Sequence, residues 1–432
     1  MPTTTPPLAA PSLPDELLEE IFLRFPPDEP SFLVRASLAS KLWFGLLTSP
    51  NFQSRYQEFH GVLPMLGFFC NQIDTSDSGE EEEEPVSHFV PTTTSGSCIS
   101  KDDWIESKYD VWDCRHGHVL FGEKGRRSTK FIIRNPMTSR WTKVHTPKRY
   151  MVADNRVVVV LCAMTGCDHR KCHEGPFRLV FAYLYVGEGE DEDDCVAYAG
   201  VSLPEMCNWS NPCSKFLSKP CSKPWSKRWR DSSGLHVPFG ACIESIPPGL
   251  IEDSLYFILS YYVDVCVGIL KYNLSSNCLS LLDGPPVEDV FVGATILMAM
   301  EDDSLGLAHM DRLTLYLWSR QMGSNGVASW TQRTLIDLKN LLPVQNPERR
   351  PRLIGSVEGS DILFVTVDLG VYEINLKSLR WKTIWKTESL RALFPHMSFY
   401  IPKEVGRWCN KGPMRVEGTP GGVGAPSASW PP

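Results

Sequence analysis

The densest set of ligand-type side chains in the chain is Cys162, Cys167, His169, Cys172 and His173. Thiolates and imidazoles at short spacing are what zinc takes, four at a time in a tetrahedral array. Four residues separate each of these cysteines from the next, and the cluster holds no Cys-x-x-Cys pair, so the spacing fits no common zinc finger. The residues alone leave two readings open, a metal site or a loop held by packing. A second run, Lys215 to Arg230, carries six basic residues with Trp225 and Trp229 interleaved. Positive charge for phosphates and indoles for base stacking make up a single-strand nucleic-acid platform. Ser-Lys-Pro recurs through the run, at Ser218 and again at Ser222, which favours an expanded loop between strands and allows an acidic protein as partner. The opposite run, Glu188 to Asp194, reads as a solvated loop tip.

Catalytic signatures are missing. The sequence has no Gly-x-Ser-x-Gly elbow, no phosphate loop ending in Gly-Lys-Ser/Thr, no His-Glu-x-x-His and no dinucleotide fingerprint. The expectation is a protein with no catalytic residues, no cofactor and no metal. Ten scattered His and many carboxylates leave a convergent pocket as the one route to chemistry.

The elements that would position such groups follow from the chain as a whole. Its 432 residues allow two or three domains, or one large one with an appendage. A body of that size buries about three quarters of its unfolded surface, so it needs no disulfide or metal for a core. The formal net charge of −8 argues against a general nucleic-acid or anionic-membrane binder. Residues 1–12 lack a basic residue and an apolar run, unlike a secretory signal. The longest apolar stretch, Leu255 to Leu270, holds Ser260, three tyrosines and Asp264 and is too polar to span a bilayer. The 14 Cys are therefore expected to stay thiols, in a cytoplasmic or nuclear protein.

The first sixty residues have helical periodicity. Ser12 can cap, Pro14 suits a first turn, and Asp15 and Glu16 complement the helix dipole. Leu17, Leu18, Ile21 and Phe22 make an apolar stripe that ends at Phe25-Pro26-Pro27. A second helix carries Leu33, Val34 and Leu38, and a third carries Leu42, Trp43, Leu46 and Leu47. A further stripe, Phe52, Tyr56 and Phe59, follows Pro50. Helices this short cannot bury their own apolar faces, so the unit needs a partner, in this chain or another.

Leu13-Pro14-Asp15-Glu16-Leu17-Leu18-Glu19-Glu20-Ile21-Phe22-Leu23-Arg24, then Leu33-Val34-Arg35-Ala36-Ser37-Leu38 and Trp43, resembles an F-box, over roughly residues 12–50. The resemblance implies binding to the Skp adaptor of a cullin–RING ubiquitin ligase. It implies that Leu13, Pro14, Leu17, Ile21, Leu33, Val34, Arg35, Leu38, Lys41 and Trp43 face the adaptor or support that face. The chain departs from the family with Ala39-Ser40-Lys41-Leu42-Trp43 in place of Val-Cys-Lys-Arg-Trp, and with Phe25 where Leu is usual. One lost rim charge is expected to weaken adaptor binding without abolishing it.

Beyond Gly67-Phe68-Phe69 the chain turns polar, with an unbroken acidic run from Glu80 to Glu84 that reads as a solvated linker. From about residue 88 to 402, short branched and aromatic runs alternate with turns: Phe131 to Ile133, Val157 to Val160, Leu179 to Phe181, Leu255 to Ile258, Leu313 to Trp318 and Ile362 to Val367. These read as strands. Strands ending at Asn135, Asn273 and Asn375 are each followed six residues later by a large apolar side chain, Trp141, Leu279 and Trp381. Less regular versions end at Trp209 and Trp330, so the anchors are spaced 68, 70, 51 and 51 residues apart. Roughly 315 residues at the shorter period give six units, the pattern of a kelch-type propeller. An open β-sandwich is the rival, but it has no need of that repeat. The sixth unit is expected to pair residues between His88 and Trp112 with a late strand, Ser398 to Ile401, closing the ring.

The resemblance extends into this region. Gly166 to His169, Cys172 to Arg178, Leu315 to Arg320 and Gly370 to Ser378 are similar to the propeller-like part of the large F-box group of grasses. That similarity favours a structural loop over zinc at Cys162 to His173. The expected organisation is a disordered segment at 1–11, the F-box and a following helix at 12–60, a linker at 61–87, a substrate-binding propeller at 88–402 and a disordered tail at 403–432. The fold class is a small all-α F-box of three helices followed by a large all-β domain. The expected function is that of the substrate receptor of a Skp–cullin–F-box ubiquitin ligase. Its partners would be the adaptor, through it the cullin and RING subunits, and a target protein, with neither nucleic acid nor membrane. The alternatives are a non-ligase scaffold with a degenerate F-box and a propeller that binds a metabolite or sugar.

Overall fold

The computed structural model describes residues 13–72, 87–92, 109–123, 130–137, 140–146, 155–164, 167, 176–186, 195–202, 229–261, 266–287, 290–323, 326–346, 349–368, 370–386, 390–400 and 402. The acidic run, the segment from His169 to His173, most of Lys215 to Arg230, the Glu188 to Asp194 run, Trp209 and the two terminal segments lie outside them.

Four helices come first: α1 (Asp15–Leu23), α2 (Ser31–Ala39), α3 (Lys41–Thr48) and α4 (Pro50–His60). Proline forces the first break, and Ser40 and Ser49 cap α3 and α4 by accepting from the amides of Trp43 and Phe52. Pro14 stands one position earlier than expected, as the residue before α1. Its carbonyl accepts from the amides of Leu17 and Leu18. Gly61, at φ 70°, ends α4 in the left-handed conformation that glycine adopts without strain.

The rest is a ring of six antiparallel sheets. After β1 (Met65–Gln72) and β2 (Ser87–Pro91), one blade is built from β3 (Tyr109–Arg115), β4 (His118–Glu123), β5 (Lys130–Arg134) and β6 (Trp141–His145). The next contains β7 (Asn155–Cys162), β8 (Phe177–Val186), β9 (Cys195–Ser202), β10 (Trp229–Asp231) and β11 (Leu235–Val237). It is followed by β12 (Ala241–Ile243), β13 (Gly249–Ile251), β14 (Ser254–Tyr261), β15 (Val267–Asn273) and β16 (Cys278–Asp283). Two four-stranded blades complete the series. One is β17 (Thr295–Ala299), β18 (Leu305–Asp311), β19 (Thr314–Met322) and β20 (Ala328–Asp337). A short helix, α5 (Leu338–Leu341), leads to β21 (Arg352–Ser356), β22 (Ile362–Val367), β23 (Gly370–Asn375) and β24 (Trp381–Trp385). Last comes β25 (Leu390–Met397), which pairs with β1 and lies beside β21 on one side and β3 on the other. The sheet β2–β1–β25 is thus the sixth blade, with its inner strand supplied from the far end of the chain.

Three expectations change here. Early and late strands do close the ring, but the late strand is Leu390–Met397, and Ser398 to Tyr400 lie beyond it. Met65–Gln72, assigned to the linker, is the middle strand of the closing blade, and Trp112 belongs to the inner strand of the next. In the blade of β7–β11 the strand β10 opens at Trp229, while Trp209, the expected marker, lies outside the described residues. The hairpins at Asn135, Asn273 and Asn375 form as expected. Asn135 and Asn375 each accept from backbone amides two or three residues on, which sets the turn before Trp141 and Trp381.

The core is divided among the blade interfaces. Leu120, Ile133, Val158 and Phe181 fill one of them, and Val201, Phe257, Leu270 and Tyr272 fill the next. β1 is buried on both faces, with Phe68 packed toward β22 and β23 and Phe69 toward β3 and β4. Side chains also tie neighbouring blades together. Asn71 exchanges hydrogen bonds with Val111 (2.7 and 3.0 Å), and Asn155 does the same with Ile243 (3.1 and 2.7 Å).

Glu244 continues this stitching by accepting from the Gly293 amide at 3.3 Å, and the residue is 4% exposed. Burial pushes its pKa from 4.5 to about 7, with the Gly293 hydrogen bond and Arg352 opposing the shift. Below about pH 4.5 the group is protonated whether the chain is folded or not. Between there and pH 7 only the folded chain holds the proton, so stability falls as pH rises, and above pH 7 the loss of about 3 kcal/mol is complete. Glu244→Gln is therefore expected to be more stable than the wild type at pH 8 and to lose that advantage at pH 4.5, as read from thermal melts at the two pH values. An equal effect at both would refute it.

Candidate adaptor-binding site

The four helices form a small bundle with a core of its own. Leu18, Phe22, Leu23, Leu33, Ala36, Leu47, Phe52 and Tyr56 are buried together with Phe399, which arrives from beyond β25. Phe22 is the hub. Its ring lies 5.2 Å from Trp43 at 67°, 5.6 Å from Phe25 and 6.4 Å from Phe52. Edge-on aromatic contacts of this kind add about 0.5–1.5 kcal/mol each beyond burial. Tyr56 donates its hydroxyl to the Phe25 carbonyl at 2.9 Å, which ties α4 to the loop after α1. Burial, with Asp28 adding to it, raises the hydroxyl pKa, so Tyr56 remains a donor. Arg55 reaches from α4 to Glu19 and Glu20 on α1 at 2.5 and 2.7 Å.

With the core filled, α1 turns a second apolar row outward. Leu17 and Ile21 are 51% and 45% exposed, and Leu13 just before the helix is 51% exposed. The stripe read as one face is two: Leu18 and Phe22 face inward, Leu17 and Ile21 outward. Spacing of four places Leu13, Leu17 and Ile21 along one side. A helix showing leucine and isoleucine on both sides is built to be covered on both. The propeller and the other helices cover only the inner side.

The remaining expected residues divide clearly. Pro14, Arg35, Leu38 and Lys41 are exposed, and Val34 and Trp43 are half-buried. Leu33, 2% exposed, is a core residue, so it supports the surface and cannot itself meet a partner. Trp43 likewise spends its ring on Phe22. Three exposed large apolar residues of the helices were not among the expected contacts, Phe32, Leu42 and Phe59. Leu42 stands four residues after Leu38 across the joint between α2 and α3, so the departure from Arg at this position adds apolar surface where charge is lost. Phe25, the other departure, packs its ring between those of Phe22 and Phe32, at 5.6 and 5.8 Å, and so closes the bundle.

The bundle meets the ring through the segment after β25. The Ser398 amide donates to the Pro64 carbonyl at 3.1 Å, and the Phe399 ring meets Tyr56 edge-on at 5.8 Å and 75°. Of the sequence cluster at residues 162–173, Cys162 is buried at the end of β7, and its Sγ accepts from the Met164 amide at 3.4 Å. Among the described residues no group of three or more His, Cys, Asp or Glu is placed to hold a metal ion. No helix among them is long and apolar enough to cross a membrane.

No curated protein matches the chain. Among solved structures it is similar to a protein from Lactobacillus plantarum, with 10% identity over 76% of this chain and 99% of that one at a TM-score of 0.38. Oligopeptidase B from Trypanosoma brucei gives 10% identity over 74% of this chain and 38% of that one, TM-score 0.32. The chain spans 28% of an extracellular domain assigned to a one component system of B. thetaiotaomicron, at 11% identity over 66% of this chain and a TM-score of 0.27. Likeness at these scores carries no argument about function. The helical end is where a family match falls: residues 11–55 match the F-box domain, so the chain carries an F-box on a six-bladed β-propeller.

Proposed function

We propose that the chain is the substrate-recognition subunit of a Skp–cullin–F-box ubiquitin ligase. One observation carries the reading: α1 shows a second apolar row, Leu13, Leu17 and Ile21, on the side away from a bundle core that is already filled. Burying about half of each of these side chains against an apolar partner is worth on the order of 1 kcal/mol apiece, and exposed Arg35 and Lys41 would supply a polar rim. The Skp adaptor is the partner this surface fits, with the cullin and RING subunits joined through it. The chain's part is non-catalytic. It raises the effective concentration of a target's lysines near the ubiquitin-carrying enzyme, and the propeller is the part that holds the target. The similarity of residues 166–169, 172–178, 315–320 and 370–378 to the grass F-box group supports a kelch-like propeller, a plant source and a role in proteasomal degradation in the cytoplasm or nucleus.

Mixing the full-length chain with purified Skp adaptor is expected to give a one-to-one complex on size-exclusion chromatography. Separate elution at micromolar concentrations would refute the reading and favour a scaffold whose F-box has lost its partner.

A further inference from the structure

One end of the propeller's central channel opens into a cavity of about 440 Å³, roofed on one side by Gly61–Leu63 at the foot of α4. That volume lies within the range of pockets that hold small organic molecules. Its walls differ sharply. Three inner strands present apolar side chains, Leu250 from β13, Leu297 from β17 and Phe394 from β25. The facing wall is charged and comes from the end of β3 and the turn after β21.

That wall is a braced network. Arg115 donates from Nε to Asp113 at 3.1 Å, from Nη1 to Glu358 at 3.2 Å, and from Nη2 to the Pro248 carbonyl. Asp113 in turn accepts from the Val160 amide at 2.9 Å. The side chains of Arg115 and Asp113 are only 8% and 2% exposed, and each is engaged with the other and with backbone. Glu358 is the third charge, and its side chain is 36% exposed. The guanidinium of Arg115 and the imidazole of His116, whose Nε2 lies 3.8 Å from Glu358, thus stand among two carboxylates, and the carboxylate that reaches the open space is Glu358. An ion pair as deeply buried as Asp113–Arg115 is a costly device for stability alone, since apolar residues of the same volume would serve as well. A buried charge network lining a cleft is a candidate binding site on physical grounds.

We propose that this cavity binds a small organic cation: an amine or guanidine on an apolar body, the nitrogen against Glu358 and the body against Leu250, Leu297 and Phe394. Arg115 holds the Glu358 carboxylate in place, and a part-exposed carboxylate facing the cavity sets the preference for a cation. The site is independent of the adaptor-binding surface, which lies on α1 to α3.

Three probes of nearly equal size separate charge from shape: 4-phenylbutylamine, 4-phenylbutanol and 4-phenylbutyrate. Titrated calorimetrically into the full-length chain near neutral pH, the amine is expected to bind about tenfold tighter than the alcohol, and the carboxylate weakest. Glu358→Gln is expected to bring amine and alcohol together while leaving the alcohol's affinity unchanged, and Glu358→Lys to invert the order of amine and carboxylate. Equal binding of the three by the wild type, a preference for the carboxylate, or no binding of the amine at millimolar concentration would each overturn the proposal. The wild-type ranking requires no variant to fold.

Discussion

Leu17→Asp combined with Ile21→Asp is expected to lower affinity for the Skp adaptor by about a hundredfold or more, below detection in a co-purification, since buried apolar anchors at the centre of an interface dominate its energy. Both side chains are about half exposed and point away from Leu18 and Phe22, so the helical signal and melting temperature should stay near those of the wild type. Trp43→Ala is the informative contrast. Its ring is packed edge-on against Phe22, and its removal is expected to weaken adaptor binding only together with a loss of helical structure. Adaptor binding that survives the double aspartate change in a folded chain would remove α1 from the interface. A Trp43→Ala variant that loses binding with its helices intact would instead make Trp43 a direct contact rather than a support of the surface.

The second large effect concerns ring closure. Phe69 is fully buried, with its ring 4.9 Å from Phe89, 6.2 Å from Phe121 and 6.0 Å from His396, so it joins both flanking strands of the closing blade, β2 and β25, to the next blade. Phe69→Ala is expected to cost about 3–5 kcal/mol in chemical denaturation, the range for a large aromatic removed from a core. That is a large share of the roughly 5–15 kcal/mol that holds a typical domain together. Trp381→Ala removes a larger side chain, but from an outer strand where it is 40% exposed, and is expected to cost about 1 kcal/mol or less. Equal costs at the two positions would show that closure is no more critical than the rim.

These contrasts also mark what could be read from residue order. The Asn-to-aromatic hairpins were legible because Asn135 and Asn375 set their turns through contacts two or three residues away, a purely local event. Met65–Gln72 was not, because Phe68-Phe69-Cys70 is a continuous apolar run without alternation, and such a run acquires its strand character only from sheets on both sides. Trp229 was hidden for a related reason. The long segment between β9 and β10 breaks the spacing on which the repeat was counted. On the helices, residue types showed which side chains matter, but the division of α1 into an inner and an outer row depended on what lies beneath it. Leu33 and Trp43 look like surface contacts until Phe22 and Phe399 are in place. The cavity had no sequence signal at all, since Arg115, Pro248, Glu358 and Phe394 are brought together only by the closed ring.

That Phe399 fills the helical bundle has a consequence in time. Phe69 pairs with Phe394, about 325 residues later in the chain. At roughly 5–20 residues per second, a ribosome takes on the order of tens of seconds to travel from one to the other. During that interval α1 to α4 are complete but Tyr56 has no Phe399 against it, and β1 has no β25. The bundle can therefore settle fully only after synthesis has passed the last blade, so a chain that stalls or misfolds in the propeller presents an unfinished F-box. On the proposed function, firm coupling to the adaptor would then double as a check that the whole ring has been made.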